Sequence, residues 1–171
     1  FRFTVDNVFD DERPWYFELT FPHIDFIELY VPQAGGTFQS LATGSRYPFS
    51  TRDVADKNFV FLLSQSPGLA TYYIRVETIF PLMFSPVLHS RDGYMDRFSK
   101  VYPIYWLYYG ILIIMIVYNL IFYFFVRETD IISLVVFIII FILLQFSLDG
   151  FARQYLWPNS TGWARSEERR V

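Results

Sequence analysis

Two long apolar runs without a single formal charge constrain this chain more than any other feature. From Tyr102 to Val126 about 25 residues pass uncharged, and as a helix they span roughly 37 Å at 1.5 Å per residue. From Ile131 to Leu148 about 18 more follow, roughly 27 Å of helix. A bilayer's hydrocarbon core is about 30 Å thick, so both runs suit membrane crossing. Only Arg127-Glu128-Thr129-Asp130 lies between them, and so short a polar link forces an antiparallel helical hairpin. Ile, Val and Phe also favour strands, but the length of the runs argues against buried strands or the core helices of a soluble protein. Aromatic placement agrees with this reading. Tyr102, Tyr105, Trp106, Tyr108 and Tyr109 open the first run, Tyr155 and Trp157 follow the second, and a hairpin puts both groups at one interface, where amphipathic rings prefer to sit.

The rest of the chain is of a different kind. Apolar residues make up 53% of the whole and charged residues only 18%, yet the first hundred positions carry an ordinary mixture of charge, Gly and Pro. A net charge of -3, with no stripe of Lys and Arg among aromatics, sets nucleic acid aside as a partner. The absence of cysteine removes disulfides, thiolate zinc sites and cysteine nucleophiles. The chain opens at Phe1 in a strand-like Phe1-Arg2-Phe3-Thr4-Val5, which reads as a truncated start, and the polar stretch 160–171 reads as a second truncation region.

Between Phe1 and His89, apolar or alternating stretches recur with turn residues between them: Trp15 to Phe21, Phe26 to Val31, Phe38 to Leu41, Phe59 to Leu63, Tyr72 to Glu77 and Met83 to Leu88. Breaks at Phe21-Pro22, Val31-Pro32, Gly35-Gly36, Ser66-Pro67-Gly68 and Phe80-Pro81 fall where strand pairing must stop. The pattern predicts an all-β antiparallel sandwich ending near Lys100, followed by the transmembrane hairpin. Chemistry is sparse in it. His23 and His89 have no ligand spacing, Asp10-Asp11-Glu12 suits a solvated turn, and the Gly44 and Gly35-Gly36 segments lack any phosphate-binding pattern. Neither a metal, nor a cofactor, nor a catalytic centre is expected.

Several segments together resemble the seven-transmembrane receptors with diverse intracellular signalling modules, in the version carrying the second type of extracellular module. In the first domain these are Phe26-Ile27-Glu28-Leu29-Tyr30, Gly44-Ser45-Arg46-Tyr47-Pro48-Phe49-Ser50-Thr51-Arg52, Phe59-Val60-Phe61-Leu62-Leu63 and Tyr73-Ile74-Arg75-Val76-Glu77. In the membrane part they are Tyr108-Tyr109-Gly110-Ile111-Leu112 with Tyr118-Asn119, and Gln145-Phe146-Ser147-Leu148-Asp149-Gly150 with Gln154-Tyr155-Leu156-Trp157-Pro158-Asn159. The resemblance implies a jelly-roll-like sandwich, similar to carbohydrate-binding modules, outside a bacterial cytoplasmic membrane. It implies that residues 1–100 form the sensor, that 101–159 hold the first two helices of a seven-helix bundle with the following loop, and that the remaining helices and a cytoplasmic output module lie beyond this chain. Counting basic residues votes for the opposite orientation, with Arg127 alone in the link against Arg91, Arg97, Lys100, Arg153, Arg165, Arg169 and Arg170 on the other side. A folded domain of about a hundred residues translocates largely regardless of charge, so orientation follows the resemblance.

On this reading the partners are the lipid bilayer, the remaining helices and an extracytoplasmic small ligand, a saccharide among the candidates. Trp15, Arg46, Tyr47 and Arg52 are the candidate ligand-facing residues, because aromatic faces and guanidinium forks suit sugars and carboxylates. Lys100, Tyr102 and Pro103 form the expected coupling joint, with Pro103 near the first helical turn. Asn119 and Gln145, at different depths, are expected to bond to backbone or to other helices and not to each other. The competing reading is a membrane-anchored carbohydrate-binding, adhesion or glycoside hydrolase module, the last needing two convergent carboxylates.

Overall fold

The computed structural model describes residues 1–33, 35–79 and 84–158. The expected strand start at Met83, the Phe80-Pro81 break, the loop end at Asn159 and the tail 160–171 lie outside them. Seven strands are present: β1 (Arg2–Asn7), β2 (Arg13–Leu19), β3 (Phe26–Pro32), β4 (Phe38–Thr43), β5 (Phe59–Gln65), β6 (Gly68–Glu77) and β7 (Pro86–Ser90). All pair antiparallel, in one sheet ordered β1-β6-β3-β4 and a second ordered β5-β2-β7. Most connections cross from one sheet to the other, which gives the expected jelly-roll-like sandwich. Alternation does the packing: Phe17 and Leu19 of β2, Ile27 and Leu29 of β3, and Tyr72 and Ile74 of β6 point into a shared core with Phe59, Phe61 and Leu63 of β5. Gln65 ties the sheets together, its Nε2 donating to Val5 O at 3.0 Å and Gly68 O at 2.7 Å while its backbone carbonyl accepts from Asn7 Nδ2 at 2.9 Å.

Three helices follow: α1 (Arg91–Val126), α2 (Thr129–Leu148) and the short α3 (Phe151–Tyr155). The expected hairpin is there, turned by Arg127 in the left-handed conformation at φ 59. Most side chains of α1 and α2 in their apolar stretches face outward, as membrane-facing helices require.

One boundary differs from the sequence expectation. Helix α1 begins at Arg91, directly after β7, and not near Tyr102. Ser90 Oγ accepts from Gly93 N at 3.2 Å as the N-cap, and Asp92 in the first turn complements the helix dipole. At 36 residues α1 is about 54 Å long, about 24 Å more than the hydrocarbon core, and its polar first ten residues, Arg91 to Lys100, precede the apolar run. The change of composition at Lys100 marks the membrane surface; the change of fold comes earlier. Pro103 accordingly sits inside the helix, where it leaves the Ser99 carbonyl without its usual donor.

Candidate functional site

The projecting part of α1 turns back along the outer face of the β5-β2-β7 sheet, and a buried polar cluster lies beneath it. Alternation places Tyr16 and Glu18 of β2 on that outer face. Glu18 is nonetheless fully buried, because α1 covers it. Its Oε1 lies 2.7 Å from Arg97 Nη2 and accepts from Asn58 Nδ2 at 2.6 Å, and its Oε2 is 3.2 Å from His89 Nε2. One turn earlier on α1, Tyr94 stacks on Tyr16 with ring centroids 4.7 Å apart and donates its hydroxyl to Asp56 Oδ2 at 2.7 Å. Asp56, Lys57 and Asn58 are all buried and immediately precede β5.

This 49–58 segment is folded around Arg52. The Arg52 guanidinium donates to the carbonyls of Asp56, Lys57 and Asn58 at 2.6, 3.1 and 3.2 Å, and lies 4.6 and 4.2 Å from the Phe49 and Phe59 ring centroids. Burial, and then the Arg153 guanidinium, bring its pKa down to about 9, so it remains charged at neutral pH. Lys57 reaches toward the membrane, its Nζ 4.7 Å from the Tyr105 ring centroid and 5.6 Å from that of Phe151.

The second membrane helix returns to the same place. Phe151, fully buried, is the hub of a ring cluster with Tyr102, Tyr105, Trp106, Tyr109, Phe146 and Tyr155. The α2–α3 turn is fastened to the sandwich from four directions. His23 Nε2 lies 2.9 Å from Leu148 O, Arg153 donates to Gly44 O at 3.1 Å and to Tyr47 O, Gln154 Nε2 donates to Ala55 O at 3.1 Å, and Phe49 N donates to Pro158 O at 2.9 Å. Gly150 makes the close approach possible: at φ +85 it passes so near that an added Cβ would stand 2.7 Å from Pro22 Cβ and 3.0 Å from Lys57 O. Gly150→Ala is expected to cost about 2 kcal/mol and to lower amide exchange protection over 150–156 while leaving β3 and β6 protected. Unchanged protection over 150–156 would contradict this packing.

The residues singled out from sequence are distributed around this joint. Tyr102 is buried in it, stacked on Phe98 at 4.1 Å. Lys100 faces away, bridging to Asp96 Oδ2 at 2.7 Å on the exposed side of α1. Arg46 and Tyr47 lie in the turn after β4 that receives Arg153, and Tyr47 is 6.1 Å from the Phe26 ring. Trp15 is apart from them, half-buried against the core and 6.5 Å from Phe9. The four ligand candidates therefore share no single surface, and Arg52 is turned inward to its own loop. Asn119 bonds to the backbone of its own helix, its Nδ2 donating to Met115 O at 2.8 Å. Gln145 reaches Asp149 Oδ1 at 3.4 Å, and Asp149 Oδ2 accepts from Tyr109 at 2.5 Å. Sequence reasoning passed over Glu18, Asp56, Lys57, Tyr94, Arg97, Gly150 and Arg153. The polar run Asp56-Lys57-Asn58 abutting an apolar strand was their one local signal.

A separate groove opens between the free edges of β4 and β5 and is lined by residues of β3, β4 and β5 with Asp53.

Comparison with known families agrees with this division of the chain. Residues 1–90 match the family model described as 7TMR-DISM extracellular 2, and residues 102–167 match the one described as 7TM diverse intracellular signalling. Neither a curated protein nor a solved structure matches the chain.

Proposed function

The chain belongs to the seven-transmembrane receptors with diverse intracellular signalling modules, its N-terminal domain extracellular and its helices in the membrane, and from that footing we propose that the joint under α1 transmits the signal. On this reading the sandwich takes up an extracytoplasmic ligand in a bacterial cytoplasmic membrane. Binding changes how the 49–58 segment sits against α1 and the α2–α3 turn, and the helices carry that change to a cytoplasmic output module.

The observation that carries the reading is the continuity of α1. One unbroken helix docks on the outer face of the sandwich through Tyr94 and Arg97 and enters the membrane with Tyr102, Tyr105 and Tyr109 on the Phe151 hub. A continuous helix couples its two ends, with the missing Ser99 hydrogen bond at Pro103 as the place where it can bend, so a shift at Glu18 or Asp56 reaches the hairpin. Asn58 Oδ1 and Gln154 Oε1, buried at the joint without a hydrogen-bond partner among the described residues, favour a joint with more than one arrangement of similar energy. The hydrolase alternative asks for two facing carboxylates, whereas the β4–β5 groove is lined by Asp53 alone of that kind.

The test is a single alanine inserted between Lys100 and Val101 of the intact receptor. It rotates everything after it by about 100° relative to the docked turns, which moves Tyr102, Tyr105 and Tyr109 off Phe151. Output is expected to lose ligand control and lock on or off, while Lys100→Ala, on the exposed side, keeps control. An inserted receptor that responds like its parent sinks the proposal.

A further inference from the structure

The groove between β4 and β5 takes no part in the joint, and its chemistry is specific. It is an open groove of about 420 Å³, room for a small molecule. Among its lining residues Asp53 is the one charged side chain. The Asp53 carboxylate accepts from Leu62 N at a long 3.4 Å and forms no ion pair among the described residues. Asp53 is an exposed residue, and the partial cover that the neighbouring protein gives its carboxylate raises its pKa above the usual carboxylate value. Gln33 Nε2 donates to Gln39 Oε1 at 3.1 Å, which holds the two amides together and leaves Gln33 Oε1 as an acceptor near the same groove. The rest of the wall is Val31, Leu41, Leu62 and Ser64.

We propose that this groove binds a small alkylammonium compound, its cationic head against Asp53 and the Gln33 amide oxygen and its carbon chain along Val31, Leu41 and Leu62. Anionic ligands have no cation to meet there. A sugar would find no aromatic face in the lining on which to stack. A divalent metal ion wants several hard ligands, and no group of three His, Cys, Asp or Glu side chains occurs among the described residues. Asp53 directly follows Arg52, whose guanidinium organises the carbonyls of 56–58 beneath α1. The inference thus deepens the receptor reading and, for the consequence of binding, rests on it.

The experiment titrates the chain in lipid nanodiscs with n-butylammonium chloride by calorimetry, with glucose and calcium chloride in parallel. Saturable butylammonium binding is expected, weakened at least about tenfold by Asp53→Asn and unaffected by Asp6→Asn on the exposed face of β1. Absence of saturation by about 10 mM, equal binding by the Asp53→Asn chain, or saturation by glucose or calcium instead overturns the proposed ligand class. Amide exchange measured in the same samples separates the two ideas. Altered protection over 52–58 and 94–100 on binding supports the site as the receptor's input. Binding through Asp53 that leaves those amides unchanged overturns the link to the joint while the ligand class stands.

Discussion

Glu18→Ala is expected to destabilise the sandwich by about 3–5 kcal/mol and to release the first turns of α1 from it. The carboxylate is fully buried and serves three partners at once: Arg97 at 2.7 Å, Asn58 at 2.6 Å and His89 at 3.2 Å. Removing it leaves the Arg97 guanidinium, only 23% exposed, without its counter-charge and strands the Asn58 amide. For a domain of this size such a loss lowers Tm by more than about 12 °C. Glu18→Gln isolates the charge, since an amide oxygen still accepts from Asn58 but no longer neutralises Arg97. Because a buried pair costs desolvation as well as gaining attraction, the double variant Glu18→Leu/Arg97→Met should be closer to the parent than Glu18→Ala. Unfolding followed in detergent, with exchange protection over 91–100 as the local readout, decides the matter. A Glu18→Ala chain within about 1 kcal/mol of the parent would show that α1 does not depend on this pair.

Glu18 also shows where the sequence stops being legible. The alternation Trp15, Phe17, Leu19 against Tyr16 and Glu18 marks β2 correctly and even assigns its faces. From β2 alone, however, Tyr16 and Glu18 face solvent. They are covered only because residues 91–100 form a helix that lies on them, and that stretch, with Arg91, Asp92, Asp96, Arg97 and Lys100, reads from the sequence as the polar end of the sandwich domain. The hairpin itself was legible because a charge-free run of that length has few other uses. Arg52 stood out as a residue of consequence, yet its direction depends on carbonyls of 56–58, and no pattern in the sequence says which way a guanidinium turns. The joint is thus a product of tertiary contact between segments as distant as Gly44 and Arg153, while the two modules it unites are products of local pattern.

The remaining large effect falls on Gly44. At φ +140, an added Cβ would stand 2.3 Å from Asp25 O, 2.8 Å from Asp25 C and 2.9 Å from Phe26 Cα. These are backbone atoms, which cannot swing aside as a side chain could. Asp25 is moreover held in place, its Oδ2 accepting from Ile79 N at 2.8 Å and its Oδ1 from Ser45 Oγ at 3.2 Å. Ser45 N donates to Ile24 O at 2.7 Å, so the turn and the segment before β3 must move together or not at all. Gly44→Ala is therefore expected to cost at least about 4 kcal/mol, from clash and from backbone strain together. Gly36→Ala supplies the comparison. Gly36 also has positive φ, +79, but nothing lies within 4 Å of its added Cβ, so conformational strain alone is at issue and about 1–2 kcal/mol is expected. If the two variants melt alike, close approach to Asp25 is not what holds the turn. The Gly44 carbonyl is also an acceptor for Arg153, a guanidinium whose pKa burial has already lowered. Displacing it unfastens α3 from the sandwich, so in Gly44→Ala, but not in Gly36→Ala, protection over 151–156 should fall together with that of β3.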